Sequence, residues 1–421
     1  MRTRMVSIAC AAVGLWAASP VAQAGLDECR VRGGLPNFFA SLEAGREVRI
    51  GYLGGSITDA EGWRVLSRKW FAEQYPKAKV TEIRATICGT GAELGACRLG
   101  RDVLHENPDL LFVEFAVNGA GGNDKRIVES MEGIVRQTWR HNPKTDICSV
   151  YTCGTWQLND LKADKPPYPT GVMEKVAEHY GVPSIHLALE VARQVKAGTL
   201  VFQGAKSHDG DKIVFSGDGV HPFLDTGHPL YLAAIVRSAP ALKAAGAPGP
   251  HALPTPLEAG NWEKACLVPL EEIGRSEGWA KVAAPGDVWG AQVAAKYLPA
   301  VWKAGAPGQA LTFRFKGTAL GLAGLRGPDA GQFTVTVDEL APVTGTFFDH
   351  YAAEGQYRVQ PWIYPAALAD GEHRVSIVLS KDPPDKVAIL KKHNRAMKDP
   401  AAFRENNLYV GGVLLVEETV H

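Results

Sequence analysis

The chain has no excess of either charge sign: 45 Lys and Arg stand against 45 Asp and Glu in 421 residues. Without a basic surplus there is no electrostatic footprint for nucleic acid, and without an acidic one no solvating tail. Beyond residue 24 no run of about 18 apolar residues occurs, so no later segment reads as a membrane span. There is no Cys-x-x-Cys, and the seven cysteines are scattered, which argues against zinc. No Gly-Lys-Ser/Thr follows the glycines at 54–55, and neither 51–56 nor 89–95 spells Gly-x-Gly-x-x-Gly. Both nucleotide-loop signatures are therefore missing. No metal and no cofactor is expected.

What is present is ordinary globular composition, 46% hydrophobic and 21% charged, in a chain long enough for one to three domains. The first 24 residues read as an export signal. Arg2 and Arg4 give positive charge, Met5 to Ala18 is mostly apolar, and Ala22-Gln23-Ala24 fits a cleavage site. The mature protein is expected to be exported, periplasmic or extracellular. Without Cys10, six cysteines remain, and oxidation could pair them in 15 ways. Cys88 with Cys97 is the short-loop candidate, and Cys29 with Cys266 would clasp one domain to the next. Cys148 and Cys153, five apart on one expected strand, face opposite sides and should not pair.

From Glu47 to about Ala245 short apolar runs alternate with helical patterns. Residues 48–54, 109–117, 146–153 and 182–188 read as strands apolar on both faces, as in a parallel sheet covered by helices. Trp63, Leu66 and Trp70 recur at helical spacing, as do Ile127, Met131, Ile134 and Val135, and the segment 171–180 ends at a capping Gly181. The pattern implies a three-layer α/β domain with ligands at the carboxyl ends of the strands. Residues 246–256, rich in Pro and Gly, read as a linker. Beyond it 310–317, 331–338, 372–380 and 408–417 read as strands with little helix, an all-β sandwich. The lysine-rich stretch 381–398 reads as a solvated loop. The expected layout is signal 1–24, catalytic domain 25–245, linker 246–265 and β domain 266–421.

Ser56, in GYLGGSIT, falls where the first strand ends and a helix begins, so its hydroxyl is presented at the rim of the sheet. A neutral serine hydroxyl is a poor nucleophile and needs a base. Asp218-Gly219-Val220-His221 offers one. An acid three residues before a histidine can accept from Nδ1 and leave Nε2 for the serine. Gly89 and Asn118, each after an expected strand, could donate a backbone N–H and a side-chain amide to a developing oxyanion, with the Ser56 N–H as a third donor. Taken singly, each of these residues also fits a cap or a turn.

Together these segments resemble the four blocks of the SGNH hydrolases, the GDSL-like esterases. The blocks are GGSIT around Ser56, ATICGTG around Gly89, FVEFAVN around Asn118, and DGVHP with Asp218 and His221, over roughly residues 46–240. The chain departs from the pattern with Gly55 where the family has Asp and with Gly119 where Asp often follows the asparagine. Gly91 rivals Gly89, and Asn123 in GGND rivals Asn118; position relative to the strands favours Gly89 and Asn118. The resemblance implies a flavodoxin-like fold and metal-free ester hydrolysis; the sandwich that follows is expected to be jelly-roll-like. Ser56 would be the nucleophile, His221 the base and then the acid, and Asp218 its orienter. Ser56, Gly89 and Asn118 would form the oxyanion hole.

The substrate implied is an acylated carbohydrate, most simply an acetyl ester of a polysaccharide, as in exported relatives with an appended β domain. Trp63 reads as core and Trp156 as either pocket wall or plain loop. The β domain either binds sugar or braces its neighbour, and the lack of an evident aromatic platform favours bracing. Two other functions stand beside it: an O-acyltransferase, which would use the same residues, and a non-catalytic glycan-binding protein on an esterase scaffold, against which the complete Ser–His–Asp set argues.

Overall fold

The structure, a computed structural model, describes residues 26–119, 122–282, 297–298 and 300–420. The expected export signal, with Cys10, lies outside these residues. No helix among the described residues is long and apolar enough to cross a membrane.

Six strands form the first sheet: β1 (Cys29–Arg30), β2 (Glu47–Gly54), β3 (Lys79–Thr86), β4 (Leu110–Glu114), β5 (Asp146–Val150) and β6 (Ser184–Ile185). Their order is β1-β6-β5-β4-β2-β3, with β1 antiparallel to β6 and all other pairs parallel. Counted from β2, this is the doubly wound, flavodoxin-like order, which reverses direction at β2. The double-sided apolar pattern has a direct cause in the pleat. Val48, Ile50, Tyr52, Leu110 and Phe112 point into one core, while Leu53, Leu111 and Val113 point into the other. Helices Pro36–Glu43, Trp63–Gln74 and Gly227–Ala244 close the first core with Phe38, Trp63, Phe71 and Tyr231. Helices Ala92–Asp102, Asp124–His141 and Thr170–Tyr180 close the second with Leu94, Ile127, Met131, Ile134 and Val176. Gly181 ends the last of these helices in the left-handed region at φ 64°.

Some expected strands are shorter than their apolar runs. The run 109–117 is strand only to Glu114, and a turn follows in which Asn118 and Gly119 both donate to the Phe115 carbonyl. The run 182–188 is strand only at Ser184–Ile185, because helix Leu189–Ala197 follows at once.

Residues 246–256 form no helix or strand, yet they are fastened to the α/β layer. His251 stacks on Trp139 at 4.7 Å and its Nε2 lies 2.7 Å from Asp146 Oδ1, while Asn37 holds Gly249. Glu132 then accepts from the N–H groups of Leu257 (2.5 Å) and Glu258 (2.9 Å).

The second sheet is antiparallel throughout. Its spine is the long strand Ala310–Arg326, paired with Leu408–Val420. One half of the long strand pairs with Gly371–Leu379 and the other with Arg358–Ile363. Apolar side chains at alternate positions, such as Phe333, Val335 and Val337, fill its core. Other residues of this sheet (Ala323, Leu325, Val359, Leu414 and Val416) join the second α/β core beside Trp262. Gly133 lets the helix Asp124–His141 approach Trp262, whose carbonyl would lie 2.5 Å from any added Cβ. The chain is thus an α/β domain and a β domain welded through a shared apolar core.

The lysine-rich stretch differs from its expected form. It contains the helix Lys386–Lys392, capped by Asp385, whose carboxylate accepts from the Ala388 N–H. Lys386 is buried, and its ammonium donates to the carbonyls of Pro328, Phe403 and Glu405 at 2.8, 3.0 and 2.7 Å. Burial pulls its pKa down to about 8. A lysine that ties three loops together carries no periodic signal, so composition alone reads it as solvated.

No disulfide occurs among the described residues. Cys97 points into the core from the middle of a helix, whereas Cys88 sits in an exposed loop with its Sγ near Asp59, so the short-loop pair is not made. Cys29 lies on the edge strand β1, while Cys266 lies in the second sheet and donates to Glu417, so the expected clasp is not made either. Cys148 and Cys153 are buried thiols.

Candidate active site

The carboxyl ends of β2, β3 and β4 converge at the point where strand order reverses. Ser56 opens the four-residue helix Ser56–Asp59 directly after β2. Asp218 and His221 come from the turn between strand Lys212–Ser216 and helix Gly227–Ala244. These three residues, far apart in sequence, form one hydrogen-bonded line. His221 Nε2 lies 2.8 Å from Ser56 Oγ, and His221 Nδ1 lies 2.6 Å from Asp218 Oδ2.

The turn holds Asp218 by its other oxygen. Oδ1 accepts from the N–H groups of Val220 and His221, both at 2.8 Å. The Ser216 hydroxyl donates to the His221 carbonyl at 2.7 Å and accepts from the Gly219 N–H at 3.0 Å. Gly219 adopts φ 81°, and a Cβ there would lie 2.3 Å from Thr155 Oγ1, so the turn excludes a side chain twice over. Burial opposes ionisation of Asp218, but the hydrogen bonds from the His221 ring and from two backbone N–H groups outweigh it. They hold this carboxyl well below the usual carboxylate range. The site is open to water: the side chains of His221 and Asp218 are 48% and 57% exposed.

The structure brings Asn118 to the same place. Its side chain rests on Gly55, where an added Cβ would lie 2.2 Å from Oδ1. A side chain at position 55 would therefore have to displace the Asn118 amide. The rival Asn123 is occupied elsewhere: it caps the helix Asp124–His141, accepting from the Lys125 and Arg126 N–H groups at 2.9 and 3.4 Å. Gly89 turns in the left-handed region at φ 73° in the loop after β3. Gly91 is the N-cap of helix Ala92–Asp102.

Three further residues shape the site and are not evident from the motifs. Glu114, at the end of β4, is buried beneath it. It accepts from Thr152 Oγ1 at 2.7 Å and Thr58 Oγ1 at 2.9 Å, and also from the N–H groups of Gly55 and Ala116. Burial raises its pKa against those bonds. One carboxylate thus joins the ends of three strands, and its only sequence signal is an acid inside an apolar run. His228 is fully buried, accepts the Trp63 N–H on Nδ1 at 3.1 Å, and packs where Gly62 has no side chain. Burial, with a smaller contribution from His221, lowers its pKa to about 4, so it is neutral at ordinary pH and no rival base. Gln360, from the second sheet, donates its amide to the carbonyls of Cys88 and Gly89, both at 3.2 Å. Nothing local in the sequence marks it.

Asp59 braces the far end of the serine helix. Its carboxylate binds Arg84 at 2.8 Å, Tyr297 at 3.2 Å and the Thr86 hydroxyl. No group of His, Cys, Asp and Glu among the described residues has metal-binding geometry. The arrangement can take a proton from Ser56, store it on an imidazole and return it to another oxygen.

No family model and no curated protein matches the chain. Among solved structures it is similar to a two-domain esterase (CEX) active on acetylated mannans, co-crystallised with mannopentaose. That likeness covers 93% of this chain and 97% of that one, with a TM-score of 0.70 at 20% identity. A second structure described as the same kind of esterase, without the mannopentaose, gives 0.69 over 93% and 99% at 19% identity. Because the likeness spans nearly all of both chains, it shows the fold of the two domains together.

Proposed function

We propose that this protein is a serine esterase that removes small acyl groups, acetyl foremost, from a carbohydrate. The observation that carries the reading is the unbroken line from Ser56 Oγ through the His221 ring to Asp218, at 2.8 and 2.6 Å. Its position at the strand-order reversal supports a reaction site. The activity on acetylated mannans of the structurally similar two-domain esterase supports the substrate class.

In this reading Ser56 Oγ attacks the acyl carbon while its proton passes to His221 Nε2. The carbonyl oxygen becomes an oxyanion, held by the Ser56 N–H, the Gly89 N–H and the Asn118 amide. The carbon–oxygen bond to the alcohol breaks, and the leaving oxygen takes the proton from His221. An acyl-Ser56 ester remains. Water then attacks it, giving a proton to His221, and collapse releases the acid and restores the Ser56 hydroxyl. Asp218 stays ionised, keeps the proton on Nδ1 and stabilises the imidazolium. No metal or cofactor enters the scheme.

The openness of the site, with His221 and Asp218 half exposed, also suits a second alcohol in place of water, which would make the protein an O-acyltransferase. Product analysis with an acceptor sugar separates the two. The primary test is Ser56→Ala, assayed on ethyl acetate and on acetylated mannan and xylan oligosaccharides by released acetate. A loss of roughly 10⁴–10⁶ in kcat is expected. Turnover equal to the unsubstituted protein, or no turnover of any such ester by that protein, refutes the esterase.

A further inference from the structure

Trp156 stands on the histidine side of the site. Thr155, its neighbour, donates its N–H (2.8 Å) and its hydroxyl (2.9 Å) to the Gly219 carbonyl, in the turn that carries Asp218 and His221. The indole folds back on Gly154, where an added Cβ would lie 2.6 to 2.8 Å from ring atoms Cη2, Cζ3 and Cζ2. Gly154 is buried, while the tryptophan above it is 54% exposed. Leu224, three residues past His221, is 56% exposed. A single exposed apolar side chain is ordinary on a protein surface. The tryptophan differs, because it is tied through Thr155 to the turn that carries Asp218 and His221 and is seated on a glycine that leaves room for its ring.

The direction of proton transfer says what the indole meets. His221 Nε2 must deliver its proton to the leaving oxygen, so the alcohol half of the ester lies on the His221 side. The oxyanion points the other way, toward the amides of Gly89 and Asn118. A pyranose ring has an apolar face of C–H groups and a rim of hydroxyls, so it can cover an indole and keep its rim in water. We propose that Trp156 is the platform for the sugar ring that bears the ester. This rests on the esterase reading and deepens it: the seat of the carbohydrate lies on the same loops that hold the acid–base pair. The platform selects the alcohol and takes no part in the bond-making steps.

The test compares a substrate that has a ring with one that lacks it. Trp156→Ala should lower kcat/KM on an acetylated mannan or xylan oligosaccharide by roughly ten- to thirty-fold, mostly through KM. It should leave kcat/KM on ethyl acetate within about three-fold, since that ester offers no face to stack. Trp156→Phe should recover most of the loss. In the Ser56→Ala background, calorimetric titration with the unesterified oligosaccharide should show binding that Trp156→Ala weakens to the same extent. If Ser56→Ala abolishes turnover but Trp156→Ala leaves both the oligosaccharide KM and the titration unchanged, the platform is wrong and the esterase stands. An equal loss on ethyl acetate and on the oligosaccharide also overturns it, because the ring would then be supporting the turn. An unsubstituted protein inactive on every ester removes the platform together with the reading beneath it.

Discussion

Replacing Asp218 by Asn separates the two duties of this residue. The turn needs an oxygen that accepts from the Val220 and His221 N–H groups, each at 2.8 Å, and an asparagine carbonyl supplies it. The ring needs an acceptor 2.6 Å from Nδ1, and there asparagine presents an NH₂ group instead. The imidazole must then leave Nδ1 unprotonated and carry its proton on Nε2, facing Ser56, where it can no longer accept one. A wrong tautomer in an equivalent relay costs roughly 10⁴ in kcat. Because the Asp218 side chain is 57% exposed, water and ring rotation offset part of this, and a loss of about 10²–10⁴ is expected. Folding should respond differently. The Asp218 carboxyl is held below the usual range in the folded state, so its contribution to stability is complete above the ordinary carboxylate pKa. It fades as pH falls through the lower folded-state value. Asp218→Asn should therefore lower Tm at neutral pH, and the gap from the unsubstituted protein should narrow in strong acid. Initial rates on ethyl acetate and melts across pH read the two effects. A folded Asp218→Asn protein with kcat within about three-fold of the original would refute the orienting role.

Two other substitutions probe the packing around the relay and the β domain. Gly55→Ala puts a methyl where Asn118 Oδ1 lies 2.2 Å away, so the asparagine must swing out; kcat should fall roughly 10²-fold with the fold intact by circular dichroism. Lys386→Met strands three carbonyls that now share one ammonium, and should cost roughly 2–3 kcal/mol in denaturant melts while leaving kcat on ethyl acetate unchanged.

Legibility from sequence followed the range of the interactions. The strand-end position of Ser56 and the i, i+3 spacing of Asp218 and His221 are local facts, readable because the α/β alternation says where strand ends meet. The parallel strands were legible because both faces are buried, but their ends were not: the run after Glu114 stays apolar although the backbone has already turned. Glu114 could be seen as an acid in an apolar run, but its four donors come from three separate strand ends. Lys386 shows the limit of composition, since a lysine reads as solvated until three distant carbonyls are known to surround it. The cysteine pairings failed for a related reason. Spacing alone does not tell a thiol facing a core from one facing a loop, and Cys97 and Cys88 differ in that respect.

The amide of Gln360 on the carbonyls of Cys88 and Gly89 reaches across 271 positions of chain, and this has a consequence for the order of events in synthesis. When the first 245 residues have left the ribosome, every member of the serine–histidine–aspartate line exists, but the loop bearing Gly89 still lacks its outer tether. Full competence would then arrive late, after the strand Arg358–Ile363 has docked. A catalyst of this kind would be slow to act before its second domain has folded, and its halves could not be exchanged between proteins without refitting that contact along with the apolar core the two domains share.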